Sequence, residues 1–282
     1  MSFYIQKYSG ETELFNIKKF TVSLQRAGAS KALIEQLVLE ITALPSLRTT
    51  KDIYEFALSR LHEKNPVIAA HYNVKRALLD FGPSGFPFEH YVAALFSAQG
   101  YVTKTHSIVR GACVEHELDV IAVKGNEHLM IECKFHNEQG LVCDIKVPLY
   151  IKARFDDVSK NWTNNGDTHS LHRAVIVTNT RFSAQAIAYA ECIGIMLLGW
   201  SYPEGRGLEG LIDKLGLHPI TALVSLDSRQ KKLLIDNGFI LCRDVEQNQA
   251  VLNTLNLSEQ DKEHLMQEMR AVCALKSVFV VN

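Results

Sequence analysis

No stretch of this 282-residue chain reaches the roughly 18 consecutive apolar residues that a membrane-spanning helix needs, and the opening MSFYIQKYSG has no apolar signal core. The chain therefore reads as soluble and cytoplasmic, with no membrane partner. Charge of one sign is also missing. Thirty basic and 31 acidic residues leave a formal net charge of −1, so bulk charge cannot hold nucleic acid and any phosphate contact must come from a local patch. The cysteines, Cys113, Cys133, Cys143, Cys192, Cys242 and Cys273, show no C-x-x-C spacing and mostly sit among apolar neighbours. That argues against disulfides and a zinc cluster and fits reduced core thiols. Several catalytic signatures are absent too. There is no G-x4-G-K-[ST] phosphate loop, no G-x-S-x-G elbow and no Cys/His nucleophile pair, and His116-Glu117 lacks the second histidine of a zincin, Val120 standing in its place.

What is present is a chain 47% hydrophobic and 22% charged, long enough for two or three globular units. Its organising stretch is Val114 to Phe135, VEHELDVIAVKGNEHLMIECKF. Residues 117 to 123 alternate as an apolar strand, Gly125-Asn126 supplies a turn, and Leu129 to Cys133 forms a second short strand, so the segment predicts a hairpin. Asp119 and Glu132 then lie near one another across paired strands. The period of two puts Glu132 and Lys134 on one face, with Cys133 pointing the opposite way. Two carboxylates at that separation suit a hard divalent metal that keeps several waters and leaves room for a phosphate oxygen. A lysine beside them can orient or help deprotonate a metal-bound water and offset charge building on a phosphate.

The spacing D-x12-E-x-K at Asp119, Glu132 and Lys134 resembles the PD-(D/E)XK nucleases, and GACVEHELDVIA followed by LMIECKF is similar to the Mrr-like restriction endonuclease branch. Leu118 stands where that family usually has proline. The resemblance extends to FPFEHYVAALF, Phe86 to Phe96, a helix carrying Glu89, then to a strand at Ala174 to Val177 and a helix near Ser183 to Cys192. It implies a DNA substrate, metal (Mg²⁺ or Mn²⁺) on Asp119 and Glu132, a water handled by Lys134, Glu89 reaching towards the metal, and Lys152 or Arg154 reaching a backbone phosphate.

Ahead of this unit, Phe3 to Lys7 alternates, Ser9-Gly10 turns and Glu11 to Phe15 returns. Four helices are predicted next: Ile17 to Ala27 capped by Asn16, Ser30 to Leu44, Thr50 to Glu63 with Thr50 at the N-cap, and Pro66 to Asp80, broken by Gly82-Pro83. Over residues 3 to 83 the chain resembles an ATP-cone, a nucleotide-sensing module, with VSLQRAGAS, IAAHYNVKRALLDFGP and the spacing K-x5-E-x2-N-x2-K at Lys7, Glu13, Asn16 and Lys19. The resemblance implies ATP or dATP as an allosteric ligand, phosphates on Lys7 and Lys19, and hydrogen bonds from Glu13, Asn16 and Thr50. Tyr8 replaces a basic residue that the family often has.

Lys160 to Ser170 predicts a polar loop, and Tyr202-Pro-Glu-Gly-Arg-Gly predicts a boundary or linker near 203 to 219. Helices follow at Ser228 to Asn237, at Val245 to Leu255, and from a Ser258/Asp261 cap to Cys273, with an edge strand at Ser277 to Val281. Short helices joined by tight turns resemble helix-hairpin-helix binders of the DNA backbone, which would put Lys231 and Lys232 on phosphates. The expected fold class is α/β, an α+β multidomain chain: an ATP-cone at 1–83, a nuclease domain with a helix-flanked mixed sheet at 84–205, and a helical domain at 206–282. The expected function is a metal-dependent DNA endonuclease of restriction or repair type under nucleotide control, acting as a homo-oligomer. The alternative is an ATP-responsive nucleic-acid-binding regulator whose nuclease fold does not cleave.

Overall fold

The computed structural model describes residues 3–8, 10–44, 46, 48–164 and 171–274. In chain order its elements begin with β1 (Tyr4–Gln6), β2 (Thr12–Leu14), α1 (Ile17–Arg26), α2 (Lys31–Ala43), α3 (Thr50–Lys64) and α4 (Pro66–Ala77). Then come α5 (Phe86–Ser97), β3 (Val102–Arg110), β4 (Glu115–Lys124), β5 (Glu127–Lys134), β6 (Val142–Cys143) and α6 (Lys146–Asn164). Last are β7 (Leu171–Thr178), β8 (Arg181–Phe182), α7 (Ala184–Ile193), β9 (Met196–Leu198), α8 (Leu208–Leu215), α9 (Ser228–Asp236), α10 (Cys242–Gln247) and α11 (Glu259–Ala274). Ser9, residues 165–170 of the expected loop and the expected strand at 277–281 lie outside the described residues.

The chain packs as two units, residues 3–77 with 218–274 and residues 78–217, where the sequence predicts three successive domains. The first unit joins the ends of the chain because α4 is apolar on two sides. Ala69 packs with Phe20, Leu24, Leu37, Ile53 and Leu61 of α1 to α3, whereas Ala70 joins Leu234, Val245, Leu265 and Met269 of the C-terminal helices. Polar groups seal the junction. Buried Asn73 donates to the carbonyls of Thr221 and Ala222 at 3.5 and 3.2 Å, and Thr221 Oγ1 donates to Ala77 O at 2.8 Å.

Two local expectations are corrected in this unit. The N-cap of α3 is Thr49, which forms a capping box with Asp52; Thr50 is the first helical residue and its hydroxyl reaches Gln6 O at 3.4 Å. The acid three positions on from Thr49 decides between the two threonines. The helix expected at Val245 to Leu255 is broken: Asn248 sits at φ −132° and ψ 71°, and Gln249–Leu255 continues as a 3₁₀ turn.

The second unit is a five-stranded sheet in the order β3-β4-β5-β7-β9. The first three strands are antiparallel and the last three parallel, with α6 and α7 as the crossovers that parallel neighbours require. Ile151 and Val158 of α6 and Ala186 and Ala190 of α7 pack on Met130, Ala174 and Ile176. Within the stretch expected as a boundary or linker, α8 occupies Leu208–Leu215, stopped by Gly216 in a left-handed conformation (φ 61°), and the division between the units falls after Leu217. Buried Tyr91 of α5 donates to Leu217 O at 2.7 Å, so the segment after β9 is part of the second unit.

Candidate active site

The hairpin forms as its alternation dictates: Lys124↔Glu127 closes the turn and the ladder runs to Val120↔Ile131. Asp119 and Glu132 are the next residues on the two strands. Beyond the ladder, Asp119 Oδ2 accepts a hydrogen bond from the Cys133 backbone N–H at 2.7 Å, which fixes the carboxylate against β5. Glu132 is only 5% exposed, and each of its oxygens holds a cation: Lys134 Nζ on Oε1 and Arg154 on Oε2, both at 2.7 Å. Cys133 is buried.

The end of β5 is braced from β7. Thr178 Oγ1 donates to Lys134 O at 2.7 Å. Buried Asn179 accepts from His136 N–H at 3.0 Å and donates to His136 O at 2.7 Å. These bonds hold the backbone on the far side of Lys134 so that its amine stays beside Glu132.

Glu89 lies in the first turn of α5 and contacts His106 of β3, Nδ1 to Oε2, at 3.1 Å. Burial, with the charges of Asp119, Glu117 and Glu132, pushes the Glu89 carboxyl up to about 7. Burial and the neighbouring Glu132 raise Asp119 to about 6. For Lys134, burial opposes the charged form, but the ion pair with Glu132 outweighs it and the amine is raised. The four acids therefore repel one another through a partly desolvated region that two cations only partly neutralise.

Arg154 also donates to the Glu117 carbonyl and lies 5.4 Å from the centroid of the Tyr150 ring. A guanidinium so engaged braces Glu132. Lys152 is paired with Asp156 at 2.6 Å. An opening of about 320 Å³ beside Asp119 is lined by Glu115, His116, Glu117, Tyr150 and Arg154. Its wall is fixed by Asp157 of α6, which accepts from His116 Nε2 at 2.8 Å and from Cys113 N at 2.8 Å. Asp157 also fills the space a Cβ on Gly111 would need.

The donor set fits a divalent cation: the acids are hard oxygen ligands, and two of them are held above the usual carboxylate range by burial and by mutual repulsion, the second of which a cation relieves. Asp119 and Glu132 would hold it. The structure thus brings together Asp119, Glu132, Lys134 and Glu89, places Arg154 of the expected Lys152-or-Arg154 alternative on Glu132, and adds His106 and Glu117, which sequence reasoning missed. In the first unit, Lys7 is paired with Glu13 at 2.6 Å. Asn16 caps α1 through Lys19 N–H at 2.9 Å, and Thr50 meets Gln6.

A mixed sheet flanked by helices, with acids and an amine gathered at the edge of its central hairpin, defines a restriction-endonuclease-like fold. Residues 83–199 match the restriction endonuclease family Mrr_cat, and residues 218–273 match the AF1548-like C-terminal family. An uncharacterized protein of Archaeoglobus fulgidus is 41% identical over 182 residues, 64% of this chain and 99% of that one. The crystal structure of AF1548, a protein of unknown function, aligns at 40% identity and a TM-score of 0.55, covering 68% of this chain and 99% of that chain. The chain belongs to the family of this Archaeoglobus protein, with a restriction endonuclease domain followed by an AF1548-like domain. Neither family match reaches residues 3–82. Among the described residues no helix is long and apolar enough to cross a membrane.

Proposed function

We propose that this protein is a divalent-metal-dependent DNA endonuclease whose activity is controlled by a nucleotide bound in its N-terminal region. The observation that carries the reading is the convergence of Asp119, Glu132 and Lys134, from adjoining strands, on one partly buried acidic cluster that Glu89 joins. When bound, Mg²⁺ or Mn²⁺ would supply Lewis acidity towards a phosphate oxygen and a water of lowered pKa. The chain's own residues do the rest. Lys134 offers a charged amine to the developing negative charge, Arg154 holds Glu132 in place, and the Asp119 carboxylate is aimed by the Cys133 N–H.

Nucleotide control rests on the ATP-cone resemblance and on the placement of Lys7, Asn16, Lys19 and Thr50 near the ends of β1 and the starts of α1 and α3. N–H groups and lysines at helix starts favour phosphate; the Lys7–Glu13 pair and the Asn16 cap on the Lys19 N–H mean that phosphate must displace a carboxylate and a side-chain amide. ATP or dATP would act by binding one state or assembly, such as a homo-oligomer, more tightly than another. The AF1548-like segment would add phosphate contacts through Lys231 and Lys232.

One observation favours a second reading, a nucleotide-responsive binder that does not cleave: both oxygens of Glu132 are already held by cations. Incubating the full chain with plasmid, linear and branched DNA and with RNA, in Mg²⁺ or in EDTA, with and without ATP, separates the two. Metal-dependent nicking supports the endonuclease. Retention of DNA in a shift assay without product supports the binder. Calorimetry with ATP on the wild type and Lys7→Ala tests the nucleotide site, where heat on binding is expected from the wild type alone.

A further inference from the structure

One residue of β3 does not have the backbone of a strand. His106 has φ 49°, in the left-handed region where a Cβ crowds the neighbouring carbonyl. The pairs on either side, Thr105↔Val120 and Ser107↔Leu118, nevertheless keep one register, so no residue is inserted and His106 itself occupies the place facing Asp119. Across β4, Val120↔Ile131 brings Glu132 of β5 into the same row. The excursion thus turns one side chain, at the one position of β3 opposite the first carboxylate. The His106 ring stands edge-on to Phe86 and His90 of α5, at centroid distances of 5.0 and 5.3 Å, with Nδ1 at 3.1 Å from Glu89 Oε2. Left-handed backbone at a non-glycine residue persists where its surroundings over-determine it, and such positions gather at functional sites.

Resting on the nuclease reading above, we propose that His106 is a positioning residue: its Nδ1–H holds the Glu89 carboxylate towards the Asp119–Glu132 pair, and its left-handed backbone aims the ring at α5. The role lies in the hydrogen bond and its direction. It is separable from packing because three substitutions divide the contributions. Glycine accepts the backbone and lacks the donor; asparagine tolerates positive φ and places its amide nitrogen near where Nδ1 stands; glutamine places its amide nitrogen nearer the Nε2 position.

The test measures Mn²⁺ affinity by calorimetry, melting temperature, and kcat and KM for DNA cleavage on the full chain carrying His106→Gly, His106→Asn or His106→Gln. The Gly variant is expected to melt no lower than the wild type, to bind Mn²⁺ several-fold more weakly and to lose tenfold or more in kcat at unchanged KM. Asn is expected to restore kcat to within a few-fold, and Gln not to. Should the Gly variant unfold, the Asn and Gln pair decides. A wild type that neither binds Mn²⁺ nor cuts removes the nuclease reading and this inference with it. A wild type that does both, with Gly unaffected or Gln as good as Asn, overturns this inference alone.

Discussion

The carboxylate of Asp119 takes the backbone N–H of Cys133 at 2.7 Å, just beyond the last paired residues of β4 and β5. A backbone donor lowers a carboxyl's pKa, yet Asp119 is raised to about 6 because burial and the charge of Glu132 outweigh that bond. The bond therefore fixes where the acid points without relieving the repulsion around it. Rigid aim and unrelieved negative charge together are what a cation-dependent site requires.

The acid cluster should make the metal-free protein less stable as pH rises. Asp119 and Glu89 have folded pKa values near 6 and 7, above the roughly 4 of an unfolded carboxyl, so between about pH 4 and 7 the folded state binds more protons than the unfolded one. Stability from these groups is thus present at low pH and lost as pH climbs through 6 to 7. Melting curves in EDTA are expected to reveal this destabilising contribution at pH 8 relative to pH 5.5. Added Mg²⁺ should raise the melting temperature at pH 8 and do little at pH 5.5, where protons compete with it. Equal Mg²⁺ shifts at both values contradict the assignment.

Removing one negative charge should stabilise the apo protein while disabling the site. Asp119→Asn keeps an oxygen to accept from Cys133 N–H, so the hairpin is expected to stay intact. The melting temperature in EDTA at pH 8 should rise by a few degrees, and the Mg²⁺-dependent shift should vanish. A variant that melts lower than wild type and still responds to Mg²⁺ speaks against mutual repulsion at this carboxylate.

Arg154 and Glu132 are nearly buried and paired at 2.7 Å, so truncating one partner strands a charge. Arg154→Met is expected to cost about 3 kcal/mol in denaturant unfolding, in line with broken buried ion pairs. Glu132→Met in that background should recover part of the loss. A cost below ~1 kcal/mol would assign Arg154 to solvent or substrate instead, by comparison with exposed pairs.

The adjacent threonines before α3 give a local test. Thr49→Ala should cost ~1 kcal/mol, because it removes the side chain that accepts from Asp52 N–H at 3.0 Å. Thr50→Ala should stay within about 0.5 kcal/mol, the range of surface changes that touch no cap or core. Paired urea titrations report both.

The hairpin and its three ionisable residues were readable from sequence because acids interrupting a period-two apolar pattern are conspicuous and Gly125-Asn126 marks the turn. Glu89 was readable from its helix start, and Asn16 and Ser30 from their cap positions. His106 carried no such signal: its role depends on a pairing register and a backbone angle that no local pattern encodes. Arg154 could not be told from Lys152 because helical spacing does not say which cation meets a buried acid and which meets Asp156 one turn on. The grouping of α4 with the C-terminal helices was hidden for a related reason. Small residues such as Ala69 and Ala70 leave both sides of that helix able to pack, and neither side stands out as the apolar face.

The most direct measurement is the rate of plasmid nicking by the purified full chain in Mg²⁺, wild type beside Asp119→Ala, with DNA retention followed in parallel. Metal-dependent nicking is expected from the wild type, with a loss of at least a hundredfold in the variant and DNA binding retained. Equal nicking by both proteins contradicts it.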